Sequence, residues 1–145
     1  MDAEWLRKVC LAFPGVTEQI QWGHDLVFKV GGKMFAITPL EPAPVCLAFK
    51  ASPEKFAELT ERQNIIPAPY LARAQWVALQ SRDAVAREDL AVLLRESYEM
   101  IAAKLSKRTR EMIANQRAVV RSARRKNAKE KRRTKKVRQR KRRGS

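Results

Sequence analysis

The chain is 145 residues long and carries a formal net charge of +16, with 31 Lys and Arg against 15 Asp and Glu. Residues 1–108 hold 14 basic and 13 acidic side chains, whereas residues 109–145 hold 17 basic side chains against only Glu111 and Glu130. This length supports one core without disulfides or a structural metal, and no apolar run reaches the ~18 residues of a membrane span.

In chain order, Asp2 is placed to cap a helix over residues 3–12, with Trp5, Leu6, Val9, Cys10 and Phe13 spaced to share one face. Asp2, Glu4, Arg7 and Lys8 interrupt any signal-peptide pattern, so the expected location is the cytoplasm, at the nucleoid if the chain binds DNA. Pro14-Gly15 ends the helix. Two strands flank Gly31-Gly32, a pair suited to the positive φ angles of a tight hairpin turn. That turn sets a register of Val30 with Lys33, Lys29 with Met34, Phe28 with Phe35 and Leu26 with Ile37. Leu26, Phe28, Phe35 and Ile37 then form a core face, while Val27, Lys29, Met34 and Ala36 form a partly apolar one. A third strand covers residues 45–50, with Val45, Leu47 and Phe49 on one side.

Ser52-Pro53 reads as a helix start, because Ser accepts an orphan amide and Pro fits the first helical position. This helix is expected to reach about Arg62. A rigid connector over residues 65–70 leads to a short strand at residues 75–79, carrying Trp76. The last domain helix begins near Arg87, with Glu88 and Asp89 in its positive first turn and a buried stripe from Leu90 to Leu105. The fold class expected is α+β, an antiparallel sheet packed against helices. Cys10 and Cys46 sit among apolar neighbours as reduced thiols.

The expected division is a domain over residues 1–108 and a Lys/Arg-rich tail over residues 109–145. Met112, Ile113, Val119, Val120 and Ala123 keep helical spacing, so the final helix is expected to continue as an exposed rod to about Arg125. Beyond it, self-repulsion and the lack of anything to bury predict an unfolded stretch.

The run Trp22-Gly23-His24-Asp25, followed by Val27-Phe28-Lys29-Val30-Gly31-Gly32-Lys33-Met34-Phe35-Ala36, resembles the signature hairpin of MmcQ/YjbR-type proteins. The likeness extends to Ala51-Ser52-Pro53-Glu54, to Ile66-Pro67-Ala68-Pro69-Tyr70 with Trp76 beyond, and to Ser97-Tyr98 before Lys104-Leu105-Ser106-Lys107. It covers essentially all of residues 1–108. The resemblance implies a frataxin-like (CyaY-like) sandwich and DNA binding, with wing-like loops meeting the duplex. Leu71-Ala72-Arg73-Ala74-Gln75 departs from the more polar stretch of many relatives, and the tail lies outside the resemblance.

The tail is the sharpest functional signal. Its candidate phosphate contacts are Arg121, Arg124, Arg125, Lys126, Lys129, Lys131, Arg132, Arg133, Lys135, Lys136, Arg138, Arg140, Lys141, Arg142 and Arg143. Neutralising about eight phosphates gives a log-log salt slope of about −7, or roughly four decades of affinity between 50 and 200 mM salt. The tail has no aromatic residue, so it cannot stack on bases. Without a Trp, Phe or Leu face it also lacks an anchor for lipid. Lys29 and Lys33 flank the hairpin tip and, with Arg73, are candidate secondary contacts; solvated lysines on an exposed hairpin are the plainer alternative.

Other motifs carry less. Gly31-Gly32-Lys33 lacks the spacing of a phosphate-binding P-loop. His24 is the only histidine and has no second ligand at useful spacing, so neither a metal nor a cofactor is implied. Frataxin-type iron binding needs a row of carboxylates on the first helix, where only Asp2 and Glu4 occur. Trp5, Trp22 and Trp76 are expected in the core, while Tyr70 is free to reach the surface. No nucleophile is paired with a base. The reading is therefore a non-enzymatic DNA-binding protein whose tail supplies sequence-independent phosphate contacts. An RNA- or ribosome-associated protein using the same tail is one alternative. A small-molecule or protein-binding domain with a targeting or solubilising extension is the other. Oligomeric state is left open.

Overall fold

The computed structural model describes residues 1–143; Gly144 and Ser145, and the side chains of Arg117, Val120 and Arg143, lie outside the described set. Helix α1 spans Ala3–Leu11, and the Asp2 carboxylate caps it by accepting from the Trp5 amide at 2.8 Å. Strands β1 (Val16–Gln21), β2 (Asp25–Val30), β3 (Lys33–Pro39) and β4 (Leu47–Lys50) follow. Helix α2 (Pro53–Thr60) starts on the Ser52 cap with Pro53 in its first turn. Then come β5 (Ile65–Pro67), a single 3₁₀ turn (Ala72–Ala74), β6 (Trp76–Leu79), α3 (Arg87–Ala103) and α4 (Lys107–Arg143).

The six strands form one antiparallel sheet in the order β1-β2-β3-β4-β6-β5. The α+β architecture is as expected, with two additional strands. β1 is an edge strand of alternating, largely polar residues, and β5 is a three-residue strand inside the Pro-rich connector.

The main core lies between the sheet and the helices. Phe28, Phe35, Phe49, Leu47, Leu90 and Leu94 are fully buried there, each contributing roughly 1.5–3 kcal/mol by leaving water. A second, smaller cluster on the opposite face joins Ala68, Trp76 and Ala78 to Met34 and Ile37.

The hairpin register departs from the expected one after its first two pairs. Val30 faces Lys33 and Lys29 faces Met34, but a bulge then sets Phe28 opposite Ala36 and Val27 opposite Ile37. One extra residue changes which face the following side chains meet. Ile37 consequently joins the smaller cluster, Ala36 joins the main core, and Val27 is fully buried.

The last helix also differs from expectation. α3 stops at Ala103 and a new helix starts at Lys107, where the Ser106 hydroxyl accepts from the Thr109 amide at 3.2 Å. α4 then continues past Arg125 to Arg143, about 55 Å at 1.5 Å per residue. Lys, Arg, Gln and Ala are good helix formers, and a seated first turn removes the cost of nucleation. Those two effects act against the charge repulsion that predicts an unfolded stretch.

Candidate nucleic-acid interface

The root of the cationic helix is packed against the domain. Leu105 is buried, and a Cβ placed on Gly31 at the β2–β3 tip would lie 2.7 Å from its methyl carbons. A Cβ on Gly15, in the turn before β1, would lie 2.9 Å from Ile113. Both glycines have positive φ, +57° and +74°, so each supplies a turn as well as room for the helix to approach. A cleft of about 450 Å³ separates α3 from α4, lined by Tyr98, Ala102, Ile113 and Ala118 among others.

From Ala114 to Arg142 every described side chain is exposed. The structure thus places the candidate cations Arg121 through Arg142 on the surface of a single helix; the Arg143 side chain lies outside the described residues. Among the described residues 121–141, no cation pairs with a carboxylate. Among the described residues, the cations of 121–141 are therefore not paired with the acidic groups of the domain. The first turn of α4 holds no acid, and Lys107, Arg108 and Arg110 add their charge to the positive end of the helix dipole.

Strand directions bring further cations to the end of the sheet where this helix begins. β2 ends and β3 begins there, β4 ends there at Lys50, and β5 and β6 are joined there by residues 68–75. Lys33 on β3 and Arg73 in the 3₁₀ turn are both exposed at this end. The Lys50 ammonium donates to the Ala74 carbonyl, and the Ser97 hydroxyl of α3 donates to the Lys50 carbonyl. Burial, and then the positive charge of Lys104, hold the Lys50 ammonium below its ordinary value. Lys29 sits one pair back from the tip, opposite Met34. It extends across the sheet, where its ammonium donates to Gln19 Oε1 of β1 at 3.0 Å.

Tyr70 stands in the same β5–β6 connection. It is 104% exposed, with a φ of +65°. The connection is closed by its own hydrogen bonds, from the Ala68 amide to the Trp76 carbonyl at 2.9 Å and from the Leu71 amide to the Ala68 carbonyl at 3.1 Å.

The remaining candidates disperse. Trp76 is buried and Trp5 packs against the core, but Trp22 is 62% exposed in the β1–β2 turn, where its φ of +52° turns it away from the core. His24 is exposed in that turn, at the far end of the sheet from the cationic helix, and its carbonyl accepts from the Leu40 amide at 2.8 Å. Glu18 accepts two 2.8 Å bonds from Arg7, which hold its carboxyl below the ordinary range. Both cysteines are free, and burial pushes the Cys10 thiol up to about 12. Among the described residues, no three His, Cys, Asp or Glu side chains are placed to hold a metal ion, and no helix is long and apolar enough to cross a membrane.

An antiparallel sheet covered by helices on its main face, followed by a long cationic helix, defines an α+β protein. The chain belongs to the YjbR family, whose sequence profile matches residues 11–100. A solved structure of similar fold is that of the Deinococcus radiodurans protein DR2400, a DUF419 domain. It is 32% identical, with a TM-score of 0.71 over 78% of this chain and 88% of that one. No curated protein matches.

Proposed function

We propose that this chain is a non-enzymatic DNA-binding protein of the cytoplasm, associated with the nucleoid. In this reading α4 supplies sequence-independent contacts to phosphates, and the domain positions it. The supporting observation is the run of exposed cations over residues 121–141, none of them paired with a carboxylate among the described residues. Such cations release counterions from a nucleic acid whatever its sequence.

DNA is favoured over RNA by shape. A helix about 10–12 Å across with its side chains fits the major groove of B-DNA, about 12 Å wide. The major groove of A-form RNA is deep and narrow, and side chains do not read it. Catalysis is disfavoured because burial raises both thiols above their ordinary value and His24 stands at the other end of the sheet from the root of α4.

The test replaces Arg132, Arg133, Lys135, Lys136, Arg138 and Arg140 by Gln in the full chain, which keeps good helix formers in place. Affinity for a short duplex should fall steeply, and its salt slope should shrink by about 0.9 for each phosphate that is no longer neutralised. Unchanged affinity and slope contradict the reading. A competition between duplex DNA and duplex RNA at one salt concentration decides between the two polymers.

A further inference from the structure

We infer that Tyr70 is a stacking platform for an unpaired DNA base, so that the protein prefers duplexes that end in a single-stranded overhang. This inference rests on the DNA-binding reading above and adds to it a site that the tail cannot provide, since the tail contains no aromatic residue.

Three observations converge on Tyr70. Its ring is fully exposed, which leaves it no part in the core. Its backbone is left-handed at φ +65°, a conformation that costs a non-glycine residue about 1–2 kcal/mol and that tends to mark functional positions. The connection that presents it is held firmly, by Pro67 and Pro69, by its internal hydrogen bonds and by the Lys50 ammonium on the Ala74 carbonyl. The ring is displayed from a fixed mount.

The surroundings suit a strand of nucleic acid. Tyr70 and Arg73 occupy the β5–β6 connection, and Lys33 occupies the β2–β3 tip beside the root of α4. Three strand spacings separate these two points, about 15 Å. Lys50, at the end of β4, lies between them. From Gly31, beside Thr109, α4 runs to Gly15 before the edge strand β1. Its cations from Arg121 onward therefore start ~18 Å beyond the root, on the side away from Tyr70. A protruding strand of about ten nucleotides, ~34 Å at ~3.4 Å each, returns from there across Lys33 and Lys50 to Tyr70. Stacking on an aromatic ring tolerates any base, because every base has a π-face.

The experiment measures binding of the full-length protein to a blunt duplex and to the same duplex with a thymine overhang, at one salt concentration. Wild type should prefer the overhang by about tenfold, within the range of one base–aromatic stack. Tyr70→Ala should abolish that preference while leaving blunt-duplex affinity unchanged, and Tyr70→Phe should retain it. The inference fails if wild type shows no preference, if Tyr70→Ala keeps it, or if Tyr70→Ala weakens both ligands equally. Blunt-duplex binding that survives in those cases leaves the DNA-binding reading standing. Absence of salt-dependent binding to both ligands in wild type overturns both.

Discussion

The Tyr98 hydroxyl of α3 donates a 2.6 Å hydrogen bond to the carbonyl of Pro14, in the turn that joins α1 to β1. The same turn carries Gly15, against which Ile113 of α4 packs, while the Tyr98 ring stacks on Phe13 at 5.1 Å. One bond thus fixes the turn on which the cationic helix is seated. Tyr98→Phe keeps the ring and leaves the part-buried carbonyl short of its donor. It should cost about 1 kcal/mol in urea unfolding and raise amide exchange in residues 107–114. An unchanged exchange pattern there separates the turn from the seating of α4.

Gly31 and Gly32 both adopt positive φ, but only Gly31 faces other atoms. A Cβ there meets Leu105 at 2.7 Å and Thr109 at 3.2 Å, whereas a Cβ on Gly32 has nothing within 4 Å. Ala at either position incurs the backbone strain of about 1–2 kcal/mol; at Gly31 it must also displace buried Leu105. Thermal melts should therefore rank Gly31→Ala well below Gly32→Ala. Equal melting temperatures mean that the hairpin tip does not bear on the root of α4.

Acid should weaken the domain in a defined window. Arg7 holds the Glu18 carboxyl below its ordinary 4.5, and the Trp5 amide and the Ser81 hydroxyl hold Asp2 and Asp83 below 3.8. A carboxyl depressed in the folded state contributes stability that is complete above its unfolded value and is lost as pH falls through its folded one. Melting temperature should decline as pH drops below about 4.5, and Glu18→Gln should make that decline shallower. Identical acid limbs for the two proteins contradict the assignment to the Arg7–Glu18 pair.

The tail helix is poised between propensity and repulsion. Arg121 and Arg125, Lys131 and Lys135, and Arg132 and Lys136 are like-charge pairs four residues apart, each costing about 0.2–0.5 kcal/mol in a helix. A polyanion removes that cost. Circular dichroism at the helical band should strengthen when polyphosphate is added to the full chain in low salt, and should strengthen less for the six-fold Gln variant, which keeps the Arg121 and Arg125 pair. A signal that falls on addition contradicts a helical bound state.

Much of the domain was legible in the sequence. Asp2 and Ser52 cap where expected, the Gly31-Gly32 turn sets the first two hairpin pairs, and the Leu90-to-Leu105 stripe marks the helix that covers the sheet. Purely local chemistry decides those features. The bulge at Phe28/Lys29 was not legible, because an extra residue leaves no trace in the alternation before it. β1 was missed because an exposed edge strand carries little apolar signal, and the break after Ala103 because a serine cap marks it rather than Gly or Pro. At the candidate site, composition located the tail cations and the tip placed Lys33. The placement of Lys50 and the display of Tyr70 depend on strand order, which only the folded sheet brings together.

The most direct test of the central claim is the dependence of duplex affinity on salt for the full-length chain. Backbone neutralisation by α4 predicts a log-log slope of about −7, a loss of roughly four decades between 50 and 200 mM salt. A slope near zero contradicts it, because binding that ignores ionic strength is not binding to phosphate charge.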